Sequence, residues 1–253
     1  MEETRAALED LLRRRAGEPL VVSFVIPARN EAALVTRALE SVRAQAAALV
    51  GSGSAVEAVV VDNGSEDGTA DAVLRFMEAH PDLAVRLVHE PQPGRSRAKN
   101  RGAQEARGEV LVFLDADSRA APDLAAWVAR RARLGAIAES VRVTADSTRP
   151  GERFFFDLLE FGKRHLGVRA QMFFCRREVF LALGGFREDL HLAEDKEFLE
   201  RVEAAGYPVG HLDRSWIATS PRRLRRWPLG LGAIALLVRW GLAHVGIGRR
   251  WRY

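Results

Sequence analysis

The sequence predicts an α/β protein, a mostly parallel sheet flanked by helices, followed by a C-terminal amphipathic helical appendage. Three observations carry this expectation. Four short apolar, β-branched runs, at residues 20–26, 57–61, 84–88 and 110–114, end in turn-forming or acidic residues. Stretches of helical periodicity separate them, and strand–helix alternation of this kind builds a parallel sheet covered on both faces. The 253 residues, 47% hydrophobic and 28% charged, suffice for one such domain with a sizeable core and exclude a disordered or collagen-like chain.

The elements follow in order. Residues 1–17 mix Glu2, Glu3, Glu9 and Asp10 with Arg13, Arg14 and Arg15 and contain no apolar run. They read as a short charged helix within an N-terminal segment, 1–19, and not as a signal peptide, which keeps the bulk of the protein on the cytoplasmic side. The run at 20–26 ends at Pro27, and Asn30 stands where it caps a helix reaching Gln45. Gly51-Ser52-Gly53-Ser54 makes a loop. The second strand ends in Asp62-Asn63-Gly64-Ser65 and leads to a helix over 69–79. After the third strand comes a helix over 96–106 closed by Gly108, and the fourth strand ends in Asp115-Ala116-Asp117. The second half predicts strands at 136–144, 170–175 and 208–212. Its helices are an aromatic-rich one over 153–164, one over 177–183 closed by Gly184-Gly185, and one over 193–205 closed by Gly206. No linker divides residues 20–220, so they form one domain, with 221–253 as a basic appendage.

In open α/β sheets, ligands bind beyond the C-terminal ends of the parallel strands. Pro27 to Glu31 end the first strand, Asp62 the second, and Asp115 with Asp117 the fourth. Three strand ends therefore converge on one crevice, and carboxylates occupy two of them. A nucleotide diphosphate entering it is repelled unless a cation lies between. Asp115 and Asp117, two residues apart in a turn, can face one point, and hard carboxylate oxygens favour Mg²⁺ or Mn²⁺. Each piece alone also has a plainer reading. Residues 62–65 have turn chemistry, Asp115 and Asp117 can be a solvated acid pair, and Asn30-Glu31 can be a helix start. Glu194-Asp195 suits the N-terminal end of a helix dipole.

Taken in order, these pieces resemble a known family. Val25-Ile26-Pro27-Ala28-Arg29-Asn30-Glu31 comes first, then Val59-Val60-Val61-Asp62-Asn63-Gly64-Ser65-Glu66-Asp67-Gly68-Thr69. Gly94, Asn100-Arg101-Gly102 and Ala106-Arg107-Gly108-Glu109 follow, then Phe113-Leu114-Asp115-Ala116-Asp117, Gly184-Gly185-Phe186 and Glu194-Asp195. This ordered set resembles the family-2 glycosyltransferases of the GT-A fold, over residues 21–220. The resemblance implies that Asp62 hydrogen-bonds the base of a nucleotide and that Pro27, Arg29 and Glu31 line base and ribose. It implies that Asp115 and Asp117 form the metal motif, with Asp117 the direct ligand, and that Asp195 is the general base. A hydroxyl proton is poorly acidic until attack begins, so a carboxylate in reach is what transfer with inversion needs. The loop over 184–192, with its two glycines, is expected to close over a sugar. Three departures from the family stand out. Arg29 replaces a frequent aromatic and either stacks its guanidinium on the base or lies on the surface. Asn63 stands where the family often has a second Asp. Lys99 replaces a frequent arginine and either reaches a phosphate or is solvated on a helix surface.

The net charge of +4 is asymmetric. From Arg214 to Tyr253 there are nine arginines and no acidic residue, which leaves −5 for residues 1–213. Four of the five tryptophans lie in that same stretch. Arg223-Leu224-Arg225-Arg226-Trp227 is similar to a Gln/Arg-x-x-Arg-Trp pattern of ceramide glucosyltransferases and polysaccharide synthases of this family. The similarity implies that Arg226 contacts the diphosphate and Trp227 the acceptor sugar, with Glu194 as a further candidate there. The uncharged run 228–238 is shorter than the about 20 residues of a membrane span. Flanked by arginines and tryptophans, it suits either an interfacial segment on an anionic leaflet or a helix packed on the domain. Nothing resembling a nucleic-acid-binding motif accompanies the basic tail. The single cysteine, Cys175, excludes an intramolecular disulfide.

The expectation is a cytoplasmic enzyme, peripheral at the inner face of the membrane. It would move a sugar from a nucleotide-diphosphate donor to a hydroxyl acceptor, a lipid-linked or cell-envelope glycan, using Mn²⁺ or Mg²⁺. The rivals are a metal-dependent nucleotidyltransferase, which wants a glycine-rich phosphate loop that Pro27–Glu31 is not, and a silent membrane-associated scaffold of the same fold.

Overall fold

A computed structural model describes residues 19–165, 172–190 and 192–225, save the side chain of Arg223. One sheet of eight strands runs through them: β1 (Leu20–Ala28), β2 (Ser54–Asp62), β3 (Ala84–His89), β4 (Val110–Phe113), β5 (Ser118–Ala120), β6 (Ala138–Ala145), β7 (Phe173–Arg176) and β8 (Val209–Thr219). The helices are α1 (Val35–Arg43), α2 (Gln45–Ala48), α3 (Thr69–Ala79), α4 (Arg95–Glu105), α5 (Leu124–Arg133), α6 (Pro150–His165), α7 (Arg177–Ala182), α8 (Glu194–Ala204) and the single turn α9 (Arg222–Arg225). The spatial order is β3-β2-β1-β4-β7-β6-β8-β5. The first half is wholly parallel, β1 pairing with β2 and β4, and β2 with β3. In the second half β7 runs antiparallel to both β4 and β6, and β5 to β8, while β6 and β8 are parallel.

Strand alternation sorts the core onto two faces. Val22, Phe24 and Ile26 of β1 enter one apolar cluster with α1, α3, α5 and Phe155 and Phe156 of α6. Val25, Val59 and Val61 enter the other, with α4, α7 and α8. Helix α4 lies close against the sheet because Gly102 carries no side chain. A Cβ there would stand 2.5 Å from Val25 Cγ1 and 3.0 Å from Val61 Cγ2. Beneath the second half, Phe113, Phe173, Phe180, Phe186 and Phe198 pack ring on ring, with centroids 4.8 to 5.8 Å apart. They join β4, β7, α7 and α8 into one block.

Three expectations are corrected. Asn30 does not cap a helix. It sits at φ +55°, and α1 starts only at Val35. Its side chain instead accepts from Glu66 N at 2.9 Å, and its N–H donates to Ser65 Oγ at 3.0 Å, which ties the end of β1 to the end of β2. Residues 118–133 hold β5 and α5, neither of which was predicted; a three-residue strand falls below any periodicity signal. β8 runs on to Thr219 rather than stopping at 212, because its register against β6 jumps from Val141↔Leu212 to Arg142↔Trp216 and breaks the alternation there. Among the described residues, no helix is long and apolar enough to cross a membrane.

Candidate active site

The parallel ladder ends on one level. The peptide N–H of Asn63 donates to Ala28 O, that of Glu90 to Asp62 O, and that of Leu114 to Val25 O. Beyond these ends lies a cleft of about 580 Å³, a size suited to a small-molecule ligand. β1 and the loop after it contribute Pro27, Ala28, Arg29 and Glu31; the turn after β2 contributes Asn63; the turn after β4 contributes Asp115 and Asp117. Gly94 before α4 and Arg95 at its first position join them, the start of α8 adds Glu194, and α9 adds Arg222.

The rim is built by side chains that serve backbone groups. Asn63 is buried, and its amide N–H₂ donates to Glu90 O at 2.9 Å and Gln92 O at 2.7 Å, while its Oδ1 accepts from Gly94 N at 2.8 Å. That accounts for the departure from a paired Asp: two carbonyls face this position and need a donor, which a carboxylate is not. Asp62 is also buried. Its Oδ1 accepts from Ser65 N at 3.1 Å, so it closes the 62–65 turn, and it is its neighbour Asn63 that lines the cleft. Thr69 Oγ1 accepts from Glu31 N at 2.9 Å, which seats the β1 loop on the start of α3.

Four carboxylates meet two guanidinium groups in the cleft. Arg95 Nη2 stands 2.5 Å from Asp115 Oδ2, and its Nε 3.8 Å from Glu194. Arg222 forks onto Glu31, its Nη1 at 2.8 Å from Oε2 and its Nη2 on Oε1, while Nη2 also lies 3.1 Å from Asp117. Asp115 and Asp117, with side chains 24% and 10% exposed, are thus met by positive charge brought from two separate elements. Such a pair offers the oxygen donors a hard dication takes. Among the described residues no three His, Cys, Asp or Glu form a closed ligand set. Asp115 and Asp117 are the residues that could supply carboxylate oxygens to such an ion.

Behind the cleft, Lys99 is neither on a helix surface nor among the lining residues. Its ammonium is buried, 2.8 Å from Asp195 and 3.1 Å from Glu194. Both acids open α8, where the helix dipole favours negative charge. Burial pushes the Asp195 carboxyl up from its ordinary value, and the Glu194 charge beside it adds to this against the pull of Lys99. Burial also acts on Glu194, but Lys99 and Arg95 outweigh it and hold that carboxyl below its ordinary value. Two neighbouring acids are thereby driven in opposite directions, an arrangement that favours a proton acceptor beside a fixed anion. Glu194 lines the cleft; Asp195 lies one residue deeper. The 184–190 loop is pinned rather than free. Asn100 exchanges hydrogen bonds with the backbone of Phe186 at 2.8 and 2.9 Å, and Arg201 donates to Gly185 O at 2.5 Å. Gly185, at φ +66°, is required where Asn100 Oδ1 would lie 2.6 Å from a Cβ.

Of the residues singled out in the sequence, Pro27, Arg29, Glu31, Asp115, Asp117 and Glu194 gather in the cleft; Lys99 and Asp195 lie behind Glu194, and Asp62 is buried in the 62–65 turn. Arg226 and Trp227 lie outside the described residues. Arg95 and Arg222 were missed, as arginines in basic stretches with no spacing to mark them.

Fold and cleft together define an α/β protein with an acidic ligand site at the ends of its parallel strands. The chain belongs to glycosyl transferase family 2, whose model matches residues 23–180. It is 29% identical over 200 residues to the glycosyltransferase AglE of Haloferax volcanii, covering 74% of this chain and 63% of that protein. It is 40% identical over 103 residues to the succinoglycan biosynthesis protein ExoO of Rhizobium meliloti, covering 40% of this chain and 27% of that one. The chain thus spans less than two thirds of either relative. Among solved structures, the mannosyltransferase PcManGT of Pyrobaculum calidifontis, in complex with GDP-Man and Mn²⁺, superposes with a TM-score of 0.61. Its identity is 25%, over 94% of this chain and 72% of that one.

Proposed function

We propose that this chain is an inverting, divalent-metal-dependent glycosyltransferase that moves a hexose from a nucleotide-diphosphate donor to a hydroxyl of a lipid-linked or cell-envelope acceptor at a membrane surface. The observation that carries this is the cleft in which Glu31, Asp115, Asp117 and Glu194 are balanced by Arg95 and Arg222. A crevice whose four carboxylates outnumber its two guanidinium groups suits a diphosphate that arrives with a metal. Membership of the family and the likeness to PcManGT, which holds GDP-Man and Mn²⁺, support the same reading. AglE and ExoO, a glycosyltransferase and a succinoglycan biosynthesis protein by name, support a glycan acceptor.

Asp115 and Asp117 would hold the metal, which when bound supplies Lewis-acid stabilisation of the departing diphosphate. Pro27, Arg29 and Glu31 line the donor side, with Asp62 shaping the turn that presents Asn63. Lys99 positions Glu194 and Asp195 and is not itself a phosphate contact. Asp195 takes the proton of the acceptor hydroxyl. The new bond from that oxygen to the anomeric carbon forms on the face opposite the breaking bond to the phosphate oxygen, and the nucleoside diphosphate leaves. Release of nucleoside diphosphate from a panel of UDP- and GDP-sugars, with and without Mn²⁺, tests this. Asp117→Ala is expected to abolish metal-dependent donor binding, and Asp195→Asn to keep donor binding while losing transfer. Metal-dependent donor binding by Asp117→Ala equal to that of the parent, or turnover by Asp195→Asn, refutes the respective role.

A further inference from the structure

Helix α6 presents an apolar stripe to solvent. Phe154, Leu158 and Phe161 are 69%, 45% and 54% exposed, at spacings of four and three residues that place them on one face. The opposite face is fixed to the domain. Phe155 and Phe156 enter the core, Glu160 accepts from Val143 N at 3.0 Å, and Lys163 donates to Val141 O at 3.0 Å while pairing with Glu160 at 2.7 Å. A buried ion pair within α6, hydrogen-bonded to the backbone of β6, thus sets the rotation of α6, and the outward aromatics follow from it.

Arginines stand around the stripe. Arg153 and Arg164 flank it on one side, and Arg149 precedes the helix with its side chain 69% exposed. The acids nearby are Glu152, Asp157 and Asp213. Glu152 is forked by Arg225 at 2.7 and 2.9 Å, which holds its carboxyl down to about 2, and Asp213 stands 3.9 Å from Arg164. The Arg225–Glu152 pair also places the end of α9 beside the first turn of α6. Residues 226–253, which follow α9 in sequence, hold five arginines, three tryptophans and no acidic residue. One helical turn away in α9, Arg222 reaches the cleft, so α9 runs between the first turn of α6 and the cleft.

We propose that the Phe154–Leu158–Phe161 face of α6 is a docking surface for an anionic lipid bilayer. Half-exposed, two phenylalanines and a leucine offer roughly 200–300 Å², far below the roughly 800 Å² per partner of a stable protein interface. Insertion of a few apolar side chains beside arginines is enough for a membrane surface. The inference extends the membrane part of the function proposed above and is independent of sugar transfer.

The test uses the full chain and vesicles of phosphatidylcholine with and without about one third phosphatidylglycerol. Phe154→Gln, Leu158→Gln and Phe161→Gln combined are expected to weaken sedimentation with anionic vesicles at least about tenfold. Mn²⁺-dependent donor hydrolysis should be retained, which separates this surface from the catalytic reading. Leu74→Gln, an exposed leucine on α3 (46%), is expected to bind vesicles like the parent. A second measurement spares the stripe's other residues. Leu158→Cys is labelled with an environment-sensitive dye, while Cys175 stays inert because it is fully buried and burial pushes its thiol up. A blue shift on adding anionic vesicles is expected. Three results would overturn the proposal: equal sedimentation of the triple variant, no shift of the dye, or a parent dimer that the triple variant dissolves. A dye already blue-shifted without lipid, and red-shifted by deletion of residues 226–253, would also overturn it by making the tail the occupant.

Discussion

Lys99→Met removes the buried ammonium that two adjacent carboxylates share. At 2.8 and 3.1 Å, each contact is worth roughly 5 kcal/mol at an effective dielectric of about 20, before desolvation is subtracted. Removing one partner of a buried pair typically costs about 3–5 kcal/mol, since the remaining charge is left without compensation. Arg95, 3.8 Å from Glu194, still compensates in part, so the lower end, about 3 kcal/mol, is expected. In a chain of this size that lowers Tm by roughly 6–12 °C. The loss should depend on pH with a definite sign. Glu194 sits below its ordinary 4.5 in the folded chain, so its stabilisation is present above that pH and is lost as pH falls through the lowered value. Without the ammonium, both carboxyls of the variant bind protons more readily. The gap in Tm between parent and variant is therefore widest near pH 7.5 and narrows towards pH 4.5. Calorimetry across that range measures it. A loss under about 1 kcal/mol at neutral pH, or a gap that grows on acidification, would refute the electrostatic account of the Lys99–Glu194–Asp195 cluster.

Arg222→Ala takes a tethered cation off Asp117 and Glu31; with the guanidinium 44% exposed, screening limits the effect to about 1 kcal/mol, or about fivefold tighter Mn²⁺ binding. The electron paramagnetic resonance signal of free Mn²⁺, followed without donor, reads it, and weaker binding contradicts it. Glu194→Gln removes the like charge that raises Asp195, so the acid limb of kcat/KM should move to lower pH; a move upward would contradict the opposed shifts of the two acids. Asn63→Asp trades two N–H donors for a carboxylate facing Glu90 O and Gln92 O and should cost about 1–3 kcal/mol in a urea titration. An unchanged midpoint would show that the 90–94 loop is held by other contacts.

The first half of the fold was legible because buried parallel strands are continuous apolar runs with acidic or turn-forming ends. β1 to β4 lie where those runs lie, and Pro27, Glu31, Asp115 and Asp117 reach the cleft because strand ends converge. The second half was less legible for physical reasons. β5 has three residues, and β8 loses its alternation at an irregularity. The helical spacing of Leu124, Ala125, Val128 and Ala129 in α5, all buried, was present in the sequence and went unread. Asn30 looked like a helix cap because its own sequence neighbourhood cannot reveal Ser65 and Glu66 across the sheet. Lys99 shows the same limit. A lysine on a mostly polar helix suggests solvent, and only the packing of α8 against α4 turns it inward. Arg95 and Arg222 take their meaning from carboxylates that are near in space and far in sequence.

The short helix α9 touches two places at once, with Arg222 on Glu31 and Asp117 and Arg225 on Glu152, three residues apart. Both contacts sit on one helical turn, which links the two ends. Thermodynamic reciprocity then applies: whatever factor an event at α6 imposes on ion affinity in the cleft, ion binding must return to that event unchanged. Measuring Mn²⁺ affinity with Glu152→Gln, a substitution outside the cleft, gives the size of that factor, and a value of one would make α9 two independent anchors.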